Sequence, residues 1–317
     1  MILITGGNGF IGRAVSDVLF EKGYKFKSIV RRASTNNTKH SKYSCQQLDL
    51  SDNDSINQID FDDVDIVIHL AAVAHKKDVS KKEIRHLNRD VAIELAEAAF
   101  KHGCSRFIFL STANVFSSAC GVVFNETGLT SPVDFSAQAK LDVENTLLDL
   151  ADLYQTETVI IRPPLVYGPN VKANFASMIS WVNNGVPLPF GSVNNKRSFI
   201  ALDNLVDFIL LCADKSKSPK AANQVFLISD GEDVSTTILL HKVGRAYGAR
   251  ARLLPVPVSF MRFAAKLFGK SNMADRLFGD LQVDSSKARE LLGWSPVVTM
   301  DEQLRKMALF DINGKKS

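Results

Sequence analysis

The segment Thr5-Gly6-Gly7-Asn8-Gly9-Phe10-Ile11-Gly12 has the residue types and spacing to hold a pyrophosphate. Glycines there permit a tight turn, let backbone approach phosphate oxygens, and let the next helix pack closely on the preceding strand. A helix opening beside them aims N–H groups and the positive end of its dipole at the anion. A glycine trio alone is a weak signal. Here it stands between an apolar run, Ile2–Thr5, and a helical pattern, Ile11–Gly23, which is the context that dinucleotide binding requires. Gly6, Gly9, Phe10, Ile11 and Gly12 are the expected cofactor contacts. The next apolar run ends Ser28-Ile29-Val30-Arg31-Arg32. A NAD site usually carries an acid there for the ribose 2′-hydroxyl, whereas arginine pairs with a 2′-phosphate. No acid is present, so Arg31 and Arg32 favour NADP(H), with NAD(H) as the alternative, unless both are solvated loop charges.

Other chemistries find little support. The histidines, His40, His69, His75, His86, His102 and His241, lack metal-ligand spacing. No GxSxG nucleophile elbow occurs. Cys45, Cys104, Cys120 and Cys212 are dispersed without a CxxC pair, which argues against a disulfide framework or zinc site and for a reducing cytoplasm. The 38 basic and 34 acidic residues leave +4, too little for nucleic acid but suited to a small anionic ligand. The N-terminus lacks the positive region of a signal peptide. No apolar run reaches the roughly 20 residues of a membrane span. The longest candidate, Val256 to Phe268, is broken by Pro257, Arg262 and Lys266.

The elements that must position these residues can be read from periodicity. At roughly 150 residues per domain, 317 residues make about two units or one large α/β unit. Ile2–Thr5, Phe26–Val30, Asp65–Leu70, Phe107–Ser111 and Thr158–Arg162 read as strands, apolar on both faces as in a helix-covered parallel sheet. Ile11–Gly23, Asn88–Gly103 and Ser136–Tyr154 carry helical spacing between them. This alternation predicts an α/β, doubly wound parallel sheet. After Arg162, five prolines within thirty residues interrupt the series (Pro163, Pro164, Pro169, Pro187, Pro189). Helical pieces at Phe175–Asn184, Thr236–Tyr247 and Ser285–Leu292, with a return to the sheet at Val225–Ser229, predict a smaller lobe. The expected division is 1–162, with parts of 199–230 returning to it, and 163–317. Residues Asn313–Ser317 read as a frayed tail.

The loop spacing, TGxxGxxG, resembles the extended short-chain dehydrogenase/reductase family, of the NAD-dependent epimerase/dehydratase type. Asp49-Leu50 resembles its adenine-contacting pair, and His69-Leu70-Ala71-Ala72 its strand-end motif beside the cofactor. Asn88 heads a helix as the family's structural Asn does. Leu110 to Phe116 resembles the strand that carries the catalytic Ser/Thr, which falls on Thr112. Arg162-Pro163-Pro164-Leu165-Val166-Tyr167-Gly168-Pro169 resembles the segment after the next strand, with Pro163 toward the cofactor. Val283-Asp284-Ser285-Ser286-Lys287-Ala288, ending Leu292-Gly293-Trp294, is similar to the close of nucleotide-sugar epimerases and reductases. The resemblance spans nearly the whole chain. It implies action at carbon 4 of a UDP-hexose or UDP-HexNAc, by a 4-epimerase or a 4-ketoreductase of bacterial surface-polysaccharide synthesis. It also implies a homodimer paired through the Asn88–Gly103 and Ser136–Tyr154 helices.

One position departs from the family pattern, Tyr-x-x-x-Lys on one helix. The matching residues are Phe135-Ser136-Ala137-Gln138-Ala139-Lys140. Lys140 is in place, where the family's lysine orients the nicotinamide ribose and tunes the acid. Ser136 stands where the tyrosine belongs. A serine hydroxyl is shorter and far less acidic than a phenol, and losing a positioned acid–base group typically costs about 10²–10⁴-fold. Three accounts stay open. Ser136 is a substitution that traps a complex, since one nucleotide change converts a Tyr codon to Ser. Or it is natural, with Thr112 or a water carrying the proton. Or the chain is a regulatory protein that binds NADP or a sugar nucleotide without turnover.

The family holds the UDP diphosphate in its second lobe. By resemblance, Asn174 matches the asparagine, Phe190 and Gly191 the loop on the uracil, and Arg197 the diphosphate arginine. Arginine forks suit phosphates, so Arg276 is a second candidate. Asp203-Asn204 reads as a helix N-cap. His75, Lys76 and Lys77 are either sugar contacts or a solvated basic loop. The pairs Leu267-Phe268 and Leu277-Phe278 fit core or dimer packing better than a membrane anchor.

Overall fold

The computed structural model describes residues 1–31, 44–52, 54–72, 80–117, 121–269 and 271–314. In chain order the first part runs β1 (Ile2–Thr5), α1 (Phe10–Glu21), β2 (Phe26–Val30), β3 (Ser44–Gln47), β4 (Ile66–His69), α2 (Lys81–Arg85), α3 (Val91–Lys101), β5 (Arg106–Leu110), β6 (Val123–Phe124), α4 (Phe135–Tyr154) and β7 (Glu157–Arg162). Then follow β8 (Leu165–Tyr167), α5 (Ala173–Asn183), β9 (Phe199–Ala201), α6 (Leu202–Ala213), β10 (Gln224–Leu227), α7 (Thr236–Ala246), α8 (Val258–Leu267), α9 (Ser271–Phe278), β11 (Gln282–Val283), α10 (Ser286–Leu292) and α11 (Met300–Gly314).

Seven strands form one parallel sheet in the order β10-β7-β5-β4-β1-β2-β3. Alternation along β1 sends Leu3 to one face and Ile2 and Ile4 to the other. The first face packs against Leu95 of α3 and Val143 and Leu147 of α4. The second packs against Val15 and Leu19 of α1 and Leu205 and Phe208 of α6. Each such fully buried side chain contributes about 1.5–3 kcal/mol. Both faces being covered explains why these strands are continuously apolar. The edge strand β3 is the exception and is largely exposed.

A further core joins α5, α7 and α11 around Tyr167, Phe175, Phe190, Leu240 and Met307. Two short parallel pairs, β8 with β9 and β6 with β11, lie outside the main sheet. Helix α4 is capped by Asp134, whose carboxylate accepts from Ala137 N at 2.8 Å. It ends at Gln155 in the left-handed region.

Some local expectations need correction. Asn88 does not head a regular helix. It lies in a π-helical turn, His86–Asp90, which follows α2 and its Ser80–Glu83 capping box. Asp203-Asn204 is not an N-cap: α6 is capped at Ala201, and Asn204 is buried. Its Nδ2 donates to Asp230 Oδ1 and Val298 O, because a buried amide must find partners. The C-terminal helix continues to Gly314, so Asn313 and Gly314 are helical rather than frayed. Among the described residues Cys45, Cys104 and Cys212 are free thiols. Among those residues no helix is long and apolar enough to cross a membrane, and no acidic, His or Cys cluster could hold a metal.

Candidate active site

The strand order reverses between β1 and β4, since β1 is followed in space by β2 on one side and β4 on the other. Ligands of open parallel sheets bind in the crevice at the carboxyl ends of the strands, at such a switch point. The loops leaving β1 and β4 touch there. A Cβ on Gly6 would stand 2.8 Å from Ala71 N, and Gly6 has φ +73°. Gly12 is equally constrained, because a Cβ would lie 2.2 Å from Gly6 O. Gly9 closes the turn, with its N–H donating to Gly6 O at 2.8 Å. Gly9 is also the N-cap of α1, with no side chain capping that end and no acid in the first turn. An uncapped, acid-free helix start behind a cradle that side chains would fill fits a dinucleotide pyrophosphate. Phe10, Ile11, Leu70 and Ala71 are partly buried around this crevice, and Ala72 is exposed.

Thr5 and His69, the paired last residues of β1 and β4, lock this junction. Thr5 Oγ1 is 2.8 Å from His69 Nδ1 and accepts from Ala71 N at 3.4 Å. Burial pulls the His69 pKa down to about 3, with the Lys140 charge adding to the effect. The imidazole is neutral and structural.

Arg31 is exposed just beyond β2. Arg32 lies outside the described residues, as do His75, Lys76 and Lys77. Asp49 forms a local turn, accepting from Ser51 N and Ser51 Oγ, beside buried Leu50.

The catalytic candidates gather where β5 and α4 meet. Lys140 Nζ donates to Leu110 O at 2.8 Å and Ser111 O at 3.2 Å, the carbonyls at the end of β5. Among the described residues no carboxylate bonds it directly, and burial lowers its pKa to about 8, opposed by the charge of Glu144. One turn earlier on α4, Ser136 Oγ accepts from Asn88 Nδ2 at 3.0 Å. Thr112 Oγ1 accepts from Asn114 N at 3.1 Å in the turn after β5. Both hydroxyls thus take a hydrogen bond from the protein, and each keeps its own proton for a further acceptor. Pro163 is buried next to this turn, its carbonyl accepting from Ala113 N at 2.8 Å.

Beneath them lies a buried ion pair. Glu144 accepts from Arg162 Nε at 3.0 Å and from Ser111 Oγ, and Arg162 also rests over Phe116. This pair braces the end of β7 against α4 and fixes the Ser111 backbone that Lys140 uses.

The second-lobe candidates are more dispersed. Asn174 is exposed in the first turn of α5. Phe190 is 9% exposed, its ring packed against Phe278, so it presents little open face. Gly191 is required by packing, since a Cβ would meet Leu254 backbone at 2.9 Å. Arg197 is partly buried and donates to Gly279 O at 3.0 Å. Desolvation depresses its pKa, opposed by Asp280. The Arg276 side chain lies outside the described residues. Asn195, which sequence reasoning missed, is buried beside Arg197. It bonds Leu277 O, Gly279 O and Thr236 N. Nothing in its neighbours signalled that role.

A family model for the NAD dependent epimerase/dehydratase family matches residues 2–228. The chain belongs to that family. It is 40% identical over 315 residues to the UDP-glucose 4-epimerase of Vibrio cholerae, covering 97% of this chain and 94% of that one. The UDP-glucose 4-epimerase of Thermotoga maritima, solved with UDP-glucose, superposes with a TM-score of 0.79 at 24% identity over 99% of both chains. The UDP-glucuronic acid 4-epimerase of Bacillus cereus, solved in complex with NAD, gives 0.80 at 22% identity, over 99% of this chain and 97% of that one. Both share the doubly wound fold. Among the described residues of this family member, no tyrosine substitutes at the Ser136 position. Tyr154 ends α4, Tyr167 bonds Asp230, and Tyr247 bonds Asp311.

Proposed function

We propose that this chain binds a nicotinamide dinucleotide and a UDP-hexose or UDP-HexNAc and acts at carbon 4 of the sugar. The observation that carries this reading is the constellation of Lys140, Ser136 and Thr112 at the carboxyl end of β5, beside the glycine cradle. When bound, the cofactor supplies the redox chemistry at the sugar carbon. Gly6, Gly9, Phe10, Ile11 and Gly12 hold its pyrophosphate, and Asp49, Leu50, Leu70, Ala71, Ala72 and Pro163 line the rest of its site. Lys140 orients the ribose and keeps positive charge at the proton-transfer site. Thr112 and Ser136 donate to the carbon-4 oxygen. Asn88 donates to the Ser136 hydroxyl, which keeps its own proton to offer toward the sugar. Asn174, Phe190, Gly191, Arg197 and Arg276 are the proposed contacts of the UDP half. Lobes divided near residue 162 and a homodimer paired through α3 and α4 complete this reading. So does a cytoplasmic role in surface-polysaccharide synthesis.

Two outcomes at carbon 4 are compatible with these residues. Epimerisation is supported by the Vibrio cholerae relative, and ketoreduction by Arg31 and Arg32, which suit an exchangeable NADP(H). Mass spectrometry of the nucleotide carried through purification separates them. Tightly held NAD favours the epimerase, which regenerates its cofactor in each turnover. A site loaded only by added NADPH favours the reductase.

The decisive assay is turnover of UDP-glucose and UDP-GlcNAc by the wild-type chain and by Ser136→Tyr. We expect measurable wild-type turnover and a gain of about 10²-fold or more from the phenol. Turnover by neither protein, with cofactor bound, sinks the catalytic reading and leaves a sugar-nucleotide-binding protein.

A further inference from the structure

A single buried amide ties together three segments of the second lobe. Asn195 is 6% exposed. Its Nδ2 donates to Leu277 O and to Gly279 O, both at 3.2 Å, and its Oδ1 accepts from Thr236 N at 2.9 Å. The two carbonyls can only accept and the Thr236 N–H can only donate, so the network itself fixes which way the amide faces. Leu277 and Gly279 lie at the end of α9, where the last carbonyls of a helix lack intrahelical donors. Thr236 opens α7. The amide therefore pins the end of α9 to the start of α7 and to the segment ahead of β9.

Gly279 O has a second donor. Arg197 Nη1 reaches it at 3.0 Å, and a carbonyl oxygen has two lone pairs to accept both bonds. Asn195 and Arg197 thus share one acceptor. The backbone between them is held separately: Lys196 N donates to Asp280 Oδ1 at 2.8 Å, and Leu281 N donates to Lys196 O at 2.9 Å. The bond to Gly279 O is the point at which Asn195 can influence the guanidinium. Arg197 is partly buried, and a charge partly withdrawn from water attracts an anion more strongly than an exposed one.

The loop assigned to the base has a clamp of its own. Thr237 Oγ1 lies 2.5 Å from Phe190 O and 2.8 Å from Val193 O. The two clamps stand on neighbouring residues of α7 but reach different segments, so the phosphate arm can be loosened without loosening the base loop.

We infer that Asn195 is a positioning residue for the diphosphate of the ligand: it holds Gly279 O in place, and through that shared carbonyl it aims Arg197. Both protons of its amide are committed to carbonyls, so it acts through the arginine and not by touching the ligand. The inference rests on the reading that this chain binds a UDP-sugar. It adds that preference for a diphosphate over a monophosphate depends on an amide that contacts neither.

The test is isothermal titration calorimetry of the full chain with UMP and with UDP. Wild type should bind UDP more tightly than UMP. Asn195→Leu should weaken UDP binding at least about tenfold, the strength of one hydrogen bond to a charged group, and leave UMP within about threefold. Arg197→Met should give the same pattern. The double variant should lose no more than Arg197→Met alone, because the two residues act as a unit. Asn195→Asp keeps the side-chain shape and the acceptor for Thr236 N, and serves if the leucine variant does not fold. It lacks both donors and should show the same UDP-selective loss. Hydrogen exchange of the wild type needs no variant: UDP, and not UMP, should slow the amides of residues 279–281 at least about threefold. Equal losses for UMP and UDP, additive losses in the double variant, no preference for UDP in the wild type, or no UDP-dependent slowing overturns the assignment of Asn195 alone. A wild type that binds neither nucleotide overturns it together with the sugar-nucleotide reading.

Discussion

Glu144 is the best place to test whether the ion pair under the site does what its geometry implies. Its carboxylate is 1% exposed and Arg162 is 6% exposed. Glu144→Leu removes the acceptor of Arg162 Nε and Nη2 and of Ser111 Oγ. Arg162 Nη1 already lacks a partner among the described residues, so the variant leaves a guanidinium buried with no compensating charge nearby. Breaking a buried pair from one side costs about 3–5 kcal/mol. For a chain of this size that corresponds to a fall in Tm of roughly 5–8 °C. The assay is thermal unfolding by circular dichroism at neutral pH, run as a cycle with Arg162→Leu and the double variant. Removing both charges takes away the desolvation penalty along with the attraction, so Glu144→Leu/Arg162→Leu should melt above Glu144→Leu alone. A fall of less than about 2 °C in the single variant, or additive losses in the double variant, refutes the claim that this pair is coupled and buried.

Two further expectations concern the lysine and the loop. Lys140 is held at about 8 in the folded chain against an ordinary 10.5. The unfolded chain then binds more protons between those values, so stability is lowest below pH 8 and rises as pH climbs toward 10.5. Urea titrations of the cofactor-free protein from pH 7.5 to 9.5 should show wild type gaining on Lys140→Met by up to about 1.4 kcal/mol per pH unit. Parallel curves mean that Lys140 is not desolvated. Gly12→Ala pushes a Cβ into Gly6 O, and the backbone must move because neither group is flexible. Fluorescence titration should show NAD(P)H binding weakened at least about tenfold, with a stability loss of about 1–3 kcal/mol. Wild-type affinity in that variant refutes the cradle geometry.

Much of the sheet was legible because its signals are local. Strands buried on both faces must be apolar throughout, and Ile2–Thr5 and Phe26–Val30 are recovered residue for residue. The glycine loop was equally legible, since tight turns and close approach admit no side chain. Short strands such as β8 and β9 were not, because each is three residues long and pairs across more than thirty. The Asp203-Asn204 reading failed for a related reason. A cap and a buried tertiary amide have the same residue type, and only the approach of Asp230 and Val298 distinguishes them.

The sequence by itself determined the fold class and the glycine-rich turn after β1, because these depend on residue identity and nearby spacing. Only the tertiary structure decided what surrounds Ser136. Asn88 donates to it across 48 positions, and Lys140 rests on the carbonyls of Leu110 and Ser111, about thirty positions away. Such contacts follow from how α4 lies on β5, a consequence of packing two cores at once. No local pattern encodes them, yet they set which hydroxyls can give up a proton and how much positive charge stands beside them.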